Sequence, residues 1–151
     1  MNTTTLHEAY DLVAVTVDPV KGRCVVAVRP IAQGTRILAD PVIVVPTAES
    51  DLMNKTLLGR YVFEWSDEKE LCVVLGMGSL INHAPAENVE LDSNFDDRTM
   101  DFYALCDIAA GEELVYDYGH DADELESYYG ITPAPLATSA SIPVRHSHVE
   151  S

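Results

Sequence analysis

Apolar positions along this chain fall into short β-branched runs separated by turn residues, rather than into helical stripes. Leu12-Val13-Ala14-Val15-Thr16-Val17 is a near-continuous apolar run of strand length. Asp18-Pro19 and Lys21-Gly22 are turn residues, and Cys24–Arg29 follows as a second strand, so the two predict a hairpin. Pro30–Gly34 breaks the pattern. Thr35–Leu38 and Val42–Val45 predict two further short strands, with Pro41 and Pro46 as punctuation. Thr47–Phe63 changes character. Ser50 or Asp51 can cap a short helix through Leu52, Met53, Leu57 and Leu58, ended by Gly59. Tyr61–Trp65 and Leu71–Leu75 predict strands flanking the charged turn Ser66–Glu70. Val89–Leu91 and Phe102–Cys106 predict a strand pair across the Asp92–Thr99 loop. Many short strands and little helix indicate a mainly β fold built from several small sheets.

The stretch Ile108–Gly119 is the most informative. Its Ala-Ala-Gly-Glu start predicts a turn in which Gly111 takes a positive φ. Glu113–Tyr118 then alternates, with β-favouring Val115, Tyr116 and Tyr118. Two residues apart on a strand, Tyr116 and Tyr118 leave by the same face. Such a pair can grip a ligand with a polar end and an apolar stem, or can pack as ordinary core tyrosines. Beyond it, Ala122–Tyr129 predicts one or two helical turns with Leu125, Tyr128 and Tyr129 on a shared face. Pro133 and Pro135 end it. The Pro/Ser/Ala-rich remainder predicts a flexible C-terminal tail, so 1–130 is expected as the folded domain and 131–151 as the tail.

A length of 151 residues with 47% hydrophobic content suits one domain with a real core. No apolar run is long enough to span a membrane, and the first residues carry no signal-peptide pattern, so the expectation is a soluble cytoplasmic protein. Cys24, Cys72 and Cys106 are far apart and in no Cys-x-x-Cys arrangement, which argues against a zinc cluster and a disulfide framework; no metal is expected. The net charge of −16 repels nucleic-acid phosphates and attracts basic peptides. Between Arg98 and Arg145 there is no Lys or Arg, so the acid concentrates around the paired tyrosines.

Three blocks stand in order: Gly22-Arg23-Cys24-Val25-Val26-Ala27 leading to Ile31-Ala32-Gln33-Gly34; Gly78-Ser79-Leu80-Ile81-Asn82-His83 closing on Asn88; and Gly111-Glu112-Glu113-Leu114-x-Tyr116-x-Tyr118-Gly119. Each is weak alone, but the ordered set resembles the SET domain of protein-lysine methyltransferases over roughly residues 10–120. The resemblance implies a β-clip fold with a C-terminal pseudoknot, in which the last segment threads near Asn88 to bring Tyr118 to the cofactor pocket. It implies S-adenosyl-L-methionine as cofactor, met by the Gly22-Arg23-Cys24 turn and by Asn82 and His83. The family usually has a second glycine where Cys24 stands, and Ala84-Pro85-Ala86-Glu87-Asn88 replaces the family's Ser-Cys-x-Pro-Asn.

On the same resemblance, Tyr118 is the catalytic tyrosine and Tyr116 the residue that sets how many methyl groups are added, a phenol favouring one. Tyr61, Tyr128 and Tyr129 are candidates to wall the lysine passage, with core packing the competing role for Tyr61. The implied substrate is a basic protein or peptide, a histone first, with neither nucleic acid nor membrane as partner. A homodimer is compatible with the chain, although no clear interface is visible. A histone target would place the enzyme in the nucleus or direct it to a host. The alternative is a SET-like module that holds basic peptides without transferring a methyl group.

Overall fold

The computed structural model describes residues 11–130. The expected tail, 131–151, lies outside the described residues. Two units are present: one runs through His120, the other begins at Asp121.

The first unit opens with the expected hairpin, β1 (Val13–Asp18) against β2 (Gly22–Ala27), in antiparallel register from Val13↔Ala27 to Asp18↔Gly22. One carboxylate oxygen of Asp18 accepts the backbone N–H groups of Val20 (2.7 Å) and Lys21 (2.8 Å). These bonds close the turn, and Gly22 completes it at φ +83°.

The largest sheet has five strands in the order β4-β5-β3-β8-β7. Its centre, β3 (Arg36–Val45), runs unbroken through Pro41, where two separate strands were expected. The reason is a change of partner at the proline. Arg36–Pro41 pairs with β8 (Thr99–Ala104), whereas Val42–Val45 pairs with β5 (Leu71–Val74). The hand-over falls where the chain has no N–H to offer, while the Pro41 carbonyl still accepts from Leu75 N–H at 2.8 Å. On the outer edges lie β4 (Val62–Glu64) and β7 (Val89–Asn94). The β7–β8 hairpin is longer than expected, extending to Asn94↔Thr99, because Asn94 and Arg98 (φ +55°) tighten the turn.

A third sheet holds only β6 (Asn82–His83) and β9 (Val115–Tyr116), paired in parallel. Leu114 N–H donates to the Val25 carbonyl (2.8 Å), and Ala27 N–H to the Glu112 carbonyl (2.9 Å), so the same segment also lies along β2. The expected turn at Gly111 is present, with φ +84°.

Helix is scarce and peripheral. The helix α1 (Thr47–Asn54) starts after Pro46, with no side-chain cap, instead of at Ser50 or Asp51. None of its residues is buried, and Leu52 is 68% exposed. A 3-10 turn, η1 (Leu57–Tyr61), follows, and Gly59 sits buried inside it rather than ending a helix. The core lies instead among the strands, where Val25, Ile37, Cys72, Val89, Phe102 and Leu114 are all fully buried. Ile81 and Leu114 belong to this core, so the residues just before Asn82 and just before β9 are anchored by apolar burial. Phe63 and Trp65 pack in it as well.

The second unit contains α2 (Ala122–Glu124) and a π turn (Leu125–Tyr129). Asp121 and Glu124 exchange side-chain to backbone hydrogen bonds in a capping box, and Gly130 ends the turn at φ +69°.

Candidate active site

Everything expected of the site depends on where 76–88 and 111–119 meet. The first of these segments starts from a buried carboxyl. Asp40, on β3, is almost fully buried and accepts the Gly78 N–H at 2.7 Å. A Cβ on Gly76 would overlap the Asp40 carboxyl, and one on Gly78 would overlap the Phe102 ring. Two glycines therefore let the chain pass flush against the sheet before η2 (Met77–Leu80) delivers Ile81, Asn82 and His83. Burial pushes the Asp40 carboxyl above its ordinary pKa, opposed by the Gly78 hydrogen bond.

Asn82 then ties the three blocks together. Its amide Nδ2 donates to the Arg23 carbonyl (3.0 Å) and to Glu113 Oε1 (3.0 Å). The other oxygen of that carboxylate holds Lys21 Nζ at 2.6 Å. With both hydrogens of its amide occupied, what Asn82 has left to offer a ligand is its amide oxygen, an acceptor.

His83 is oriented by an unusual partner. Its Nδ1 accepts the backbone N–H of Tyr118 at 3.1 Å, which fixes the orientation of the ring. Asp117 Oδ1 lies 3.7 Å from the same nitrogen. The Tyr118 side chain folds back over the same block, and its hydroxyl donates to the Ile81 carbonyl at 2.9 Å. Tyr116 and Tyr118 do share a face, with ring centroids 4.6 Å apart, although regular strand geometry covers only Val115 and Tyr116. Tyr116 also stacks on Phe63 (5.8 Å).

Asn88 clasps the strand that carries both phenols. Its side chain accepts Val115 N–H (2.9 Å) and donates to the Glu113 carbonyl (2.9 Å), while its own N–H donates to the Val115 carbonyl (3.1 Å). An amide side chain with a donor and an acceptor substitutes here for a stretch of neighbouring strand.

Cys24 lies on β2 with its side chain buried. Desolvation first, then the negative charges of Glu113 and Asp18, push its thiol above the ordinary value, so it stays protonated and weakly nucleophilic at neutral pH. Arg23 is exposed and contributes its carbonyl. Tyr61 is 37% exposed at the end of η1. Tyr129 lies in the second unit, and the side chain of Tyr128 falls outside the described residues.

Five residues of the site carry roles not expected from the sequence. Glu113 carried its signal in plain view, as the acid of the third block placed before an apolar strand. Asp40 was detectable as the one charge inside the apolar run of β3, and Gly76-x-Gly78 as its complement. The part played by the Ile81 carbonyl could not be read, because a backbone acceptor has no residue signature.

The SET domain family model matches residues 22–119. A Schizosaccharomyces pombe histone-lysine N-methyltransferase specific for H3 lysine-37 is 33% identical over 117 residues, covering 75% of this chain and 79% of that protein. Among solved structures, CpSET8 from Cryptosporidium superposes with a TM-score of 0.62 at 26% identity, over 77% of this chain and 61% of that one. A Plasmodium falciparum protein assigned as a histone methyltransferase superposes with a TM-score of 0.56 at 22% identity, over 74% of this chain and 96% of that one. The strand arrangement is the β-clip of these proteins, and the family match across all three blocks shows that this chain belongs to the SET domain family of protein-lysine methyltransferases.

Proposed function

We propose that this protein transfers a single methyl group from S-adenosylmethionine to a lysine of a basic, histone-like protein. The observation that carries the reading is the convergence of Tyr118 with the Asn82 block: its hydroxyl reaches the Ile81 carbonyl, one residue from the amide that holds the Gly22-Arg23-Cys24 strand.

The residues present suit the cofactor. A Cβ built on Gly22 meets nothing within 4 Å, so the backbone there is open to close approach. The Tyr118 hydroxyl, donating its hydrogen bond to the Ile81 carbonyl, offers oxygen lone pairs that favour a sulfonium and its polarised methyl. The Asn82 amide oxygen is an acceptor for the exocyclic amine of an adenine. The protonated Cys24 thiol is a poor competitor for the methyl group. S-adenosylmethionine, when bound, supplies an electrophilic methyl group on a positively charged sulfur.

The chain's own part is alignment. Methyl transfer to a neutral amine needs the nitrogen held in line with the methyl and sulfur, and no strong acid or base. Tyr118 holds the reacting end. Tyr116, stacked on Phe63 and packed beside Tyr118, offers its phenol to the amine and keeps one orientation, which favours a single transfer. Tyr61 is proposed as a wall of the lysine passage on the family resemblance. The acidic surface draws in a basic tail, and desolvation inside the passage favours the neutral amine. Such a target suits a nuclear or cytoplasmic setting, and no described helix is long and apolar enough to cross a membrane.

The test is methyl transfer from labelled S-adenosylmethionine onto core histones, followed by mass spectrometry of the labelled site. Label on one lysine, mainly as the mono-methyl form, supports the reading. Tight peptide binding with no label and no cofactor heat in calorimetry overturns it in favour of a non-catalytic binding module.

A further inference from the structure

We infer that Glu87 is a positioning residue for the reaction, setting the register of the two phenols through the backbone between them; the inference rests on the methyl-transfer reading above. Glu87 Oε2 accepts the backbone N–H of Asp117 at 3.0 Å. Asp117 is the single residue between Tyr116 and Tyr118.

Alternate N–H groups along this segment face opposite ways. On one flank Tyr118 N–H meets His83, and β6 supplies the parallel strand. On the other flank, among the described residues, no strand is paired with it. Val115 N–H goes to the Asn88 side chain, and Asp117 N–H goes to Glu87. Two consecutive side chains thus take the place of a missing neighbour strand. Asn88 holds the residue before Tyr116, and Glu87 holds the residue after it.

The carboxylate is well placed to hold. Asn88, its neighbour, is buried and fixed at both backbone groups, donating to Val115 and accepting from Leu105 N–H (2.9 Å). Pro85 stiffens the turn before it. Because Asp117 is exposed, its N–H without Glu87 would meet water, and the peptide between Tyr116 and Tyr118 would be held from one side alone, by Ala84 N–H on the Tyr116 carbonyl (3.1 Å). The family pattern described above has a proline at the Glu87 position, and proline cannot supply this acceptor.

The experiment compares the full-length wild type with Glu87→Ala and Glu87→Gln by two readouts. Amide hydrogen exchange by NMR should show the Asp117 N–H protected in the wild type, exposed in Glu87→Ala and still largely protected in Glu87→Gln, whose side-chain oxygen also accepts, without the charge. In steady-state transfer, Glu87→Ala should lower kcat roughly three- to tenfold, the size of one lost hydrogen bond, and raise the di-methyl share. KM for S-adenosylmethionine and the melting temperature should hardly move, and Glu87→Gln should restore kcat. Unchanged Asp117 exchange in Glu87→Ala overturns the clasp. Changed exchange with unchanged kcat and product ratio overturns its role in the reaction. Wild type that transfers no methyl group overturns the methyl-transfer reading and the catalytic role with it, while the exchange result still decides whether the clasp exists.

Discussion

The Tyr118 hydroxyl donates to the Ile81 carbonyl at 2.9 Å, joining a residue near the end of the domain to one 37 positions earlier. The bond spends the phenol's only proton and orients its oxygen. It also needs Ile81 held still, which its burial in the core provides. Asp40 and the two glycines fix the preceding turn. The chemistry proposed for Tyr118 therefore depends on a buried carboxyl that touches neither substrate nor cofactor.

Tyr116 should govern product multiplicity. Tyr116→Phe keeps the stack on Phe63 but removes the hydroxyl that limits the amine to one orientation. Mass spectra of the product should shift from mono- to di- and tri-methyl lysine, with the first-transfer rate changed by less than about threefold, within the range of one exposed hydrogen bond. An unaltered product distribution removes Tyr116 from this role.

The two kinds of glycine should fail differently. A Cβ on Gly78 has no room against Phe102, so Gly78→Ala should cost about 1–3 kcal/mol or more and lower the melting temperature markedly. Gly22→Ala has room but must hold φ +83°, a penalty of about 1 kcal/mol, and should chiefly weaken cofactor binding. Thermal melts and cofactor calorimetry on both variants check the contrast.

Asp18 and Asp40 pull stability in opposite directions with pH. Asp18, bonded to the Lys21 and Val20 N–H groups, has its pKa lowered, so its contribution is present above its unfolded value and lost as pH falls through the folded one. Asp40 has its pKa raised by burial, so the folded state binds the extra proton and stability declines as pH climbs from the unfolded to the folded value. Relative to wild type, Asp40→Asn should gain in melting temperature and Asp18→Ala should lose as pH rises through the carboxylate range. Parallel curves for all three proteins contradict the assignment.

Salt should act on capture rather than on transfer. The acidic surface works over distances that about 0.15 M salt screens, with a Debye length of about 8 Å, whereas groups desolvated in the proposed lysine passage would be screened much less. KM for a basic peptide should rise with salt while the single-turnover rate at saturating peptide stays level. A parallel fall in both would place the acid inside the passage.

How much of this could be read from the residues follows from which interactions are local. The hairpin turn at Asp18–Gly22, the Gly111 turn and the shared face of Tyr116 and Tyr118 depend on residues within a few positions, and each was expected. Pro41 misled because a proline normally breaks a strand, and only the change of partner from β8 to β5 explains why this one does not. Leu52, Met53, Leu57 and Leu58 suggested one short helix, but α1 ends at Asn54 and Leu57 and Leu58 fall in the separate 3-10 turn. In the site, Asn82, His83 and the tyrosines were legible as side chains in ordered blocks. The Asp40–Gly78, Glu113–Lys21 and Glu87–Asp117 bonds join positions far apart in sequence, and no local pattern announces them.

The most direct measurement is single-turnover methyl transfer to core histones by wild type and Tyr118→Phe, with S-adenosylmethionine affinity measured alongside. Removing the hydroxyl should lower the transfer rate by about a hundredfold or more, the scale expected for losing a positioned group at the developing charge. Cofactor affinity and the melting temperature should stay close to wild type, because one hydrogen bond contributes about 1 kcal/mol to the fold. Equal transfer rates for the two proteins would contradict the account.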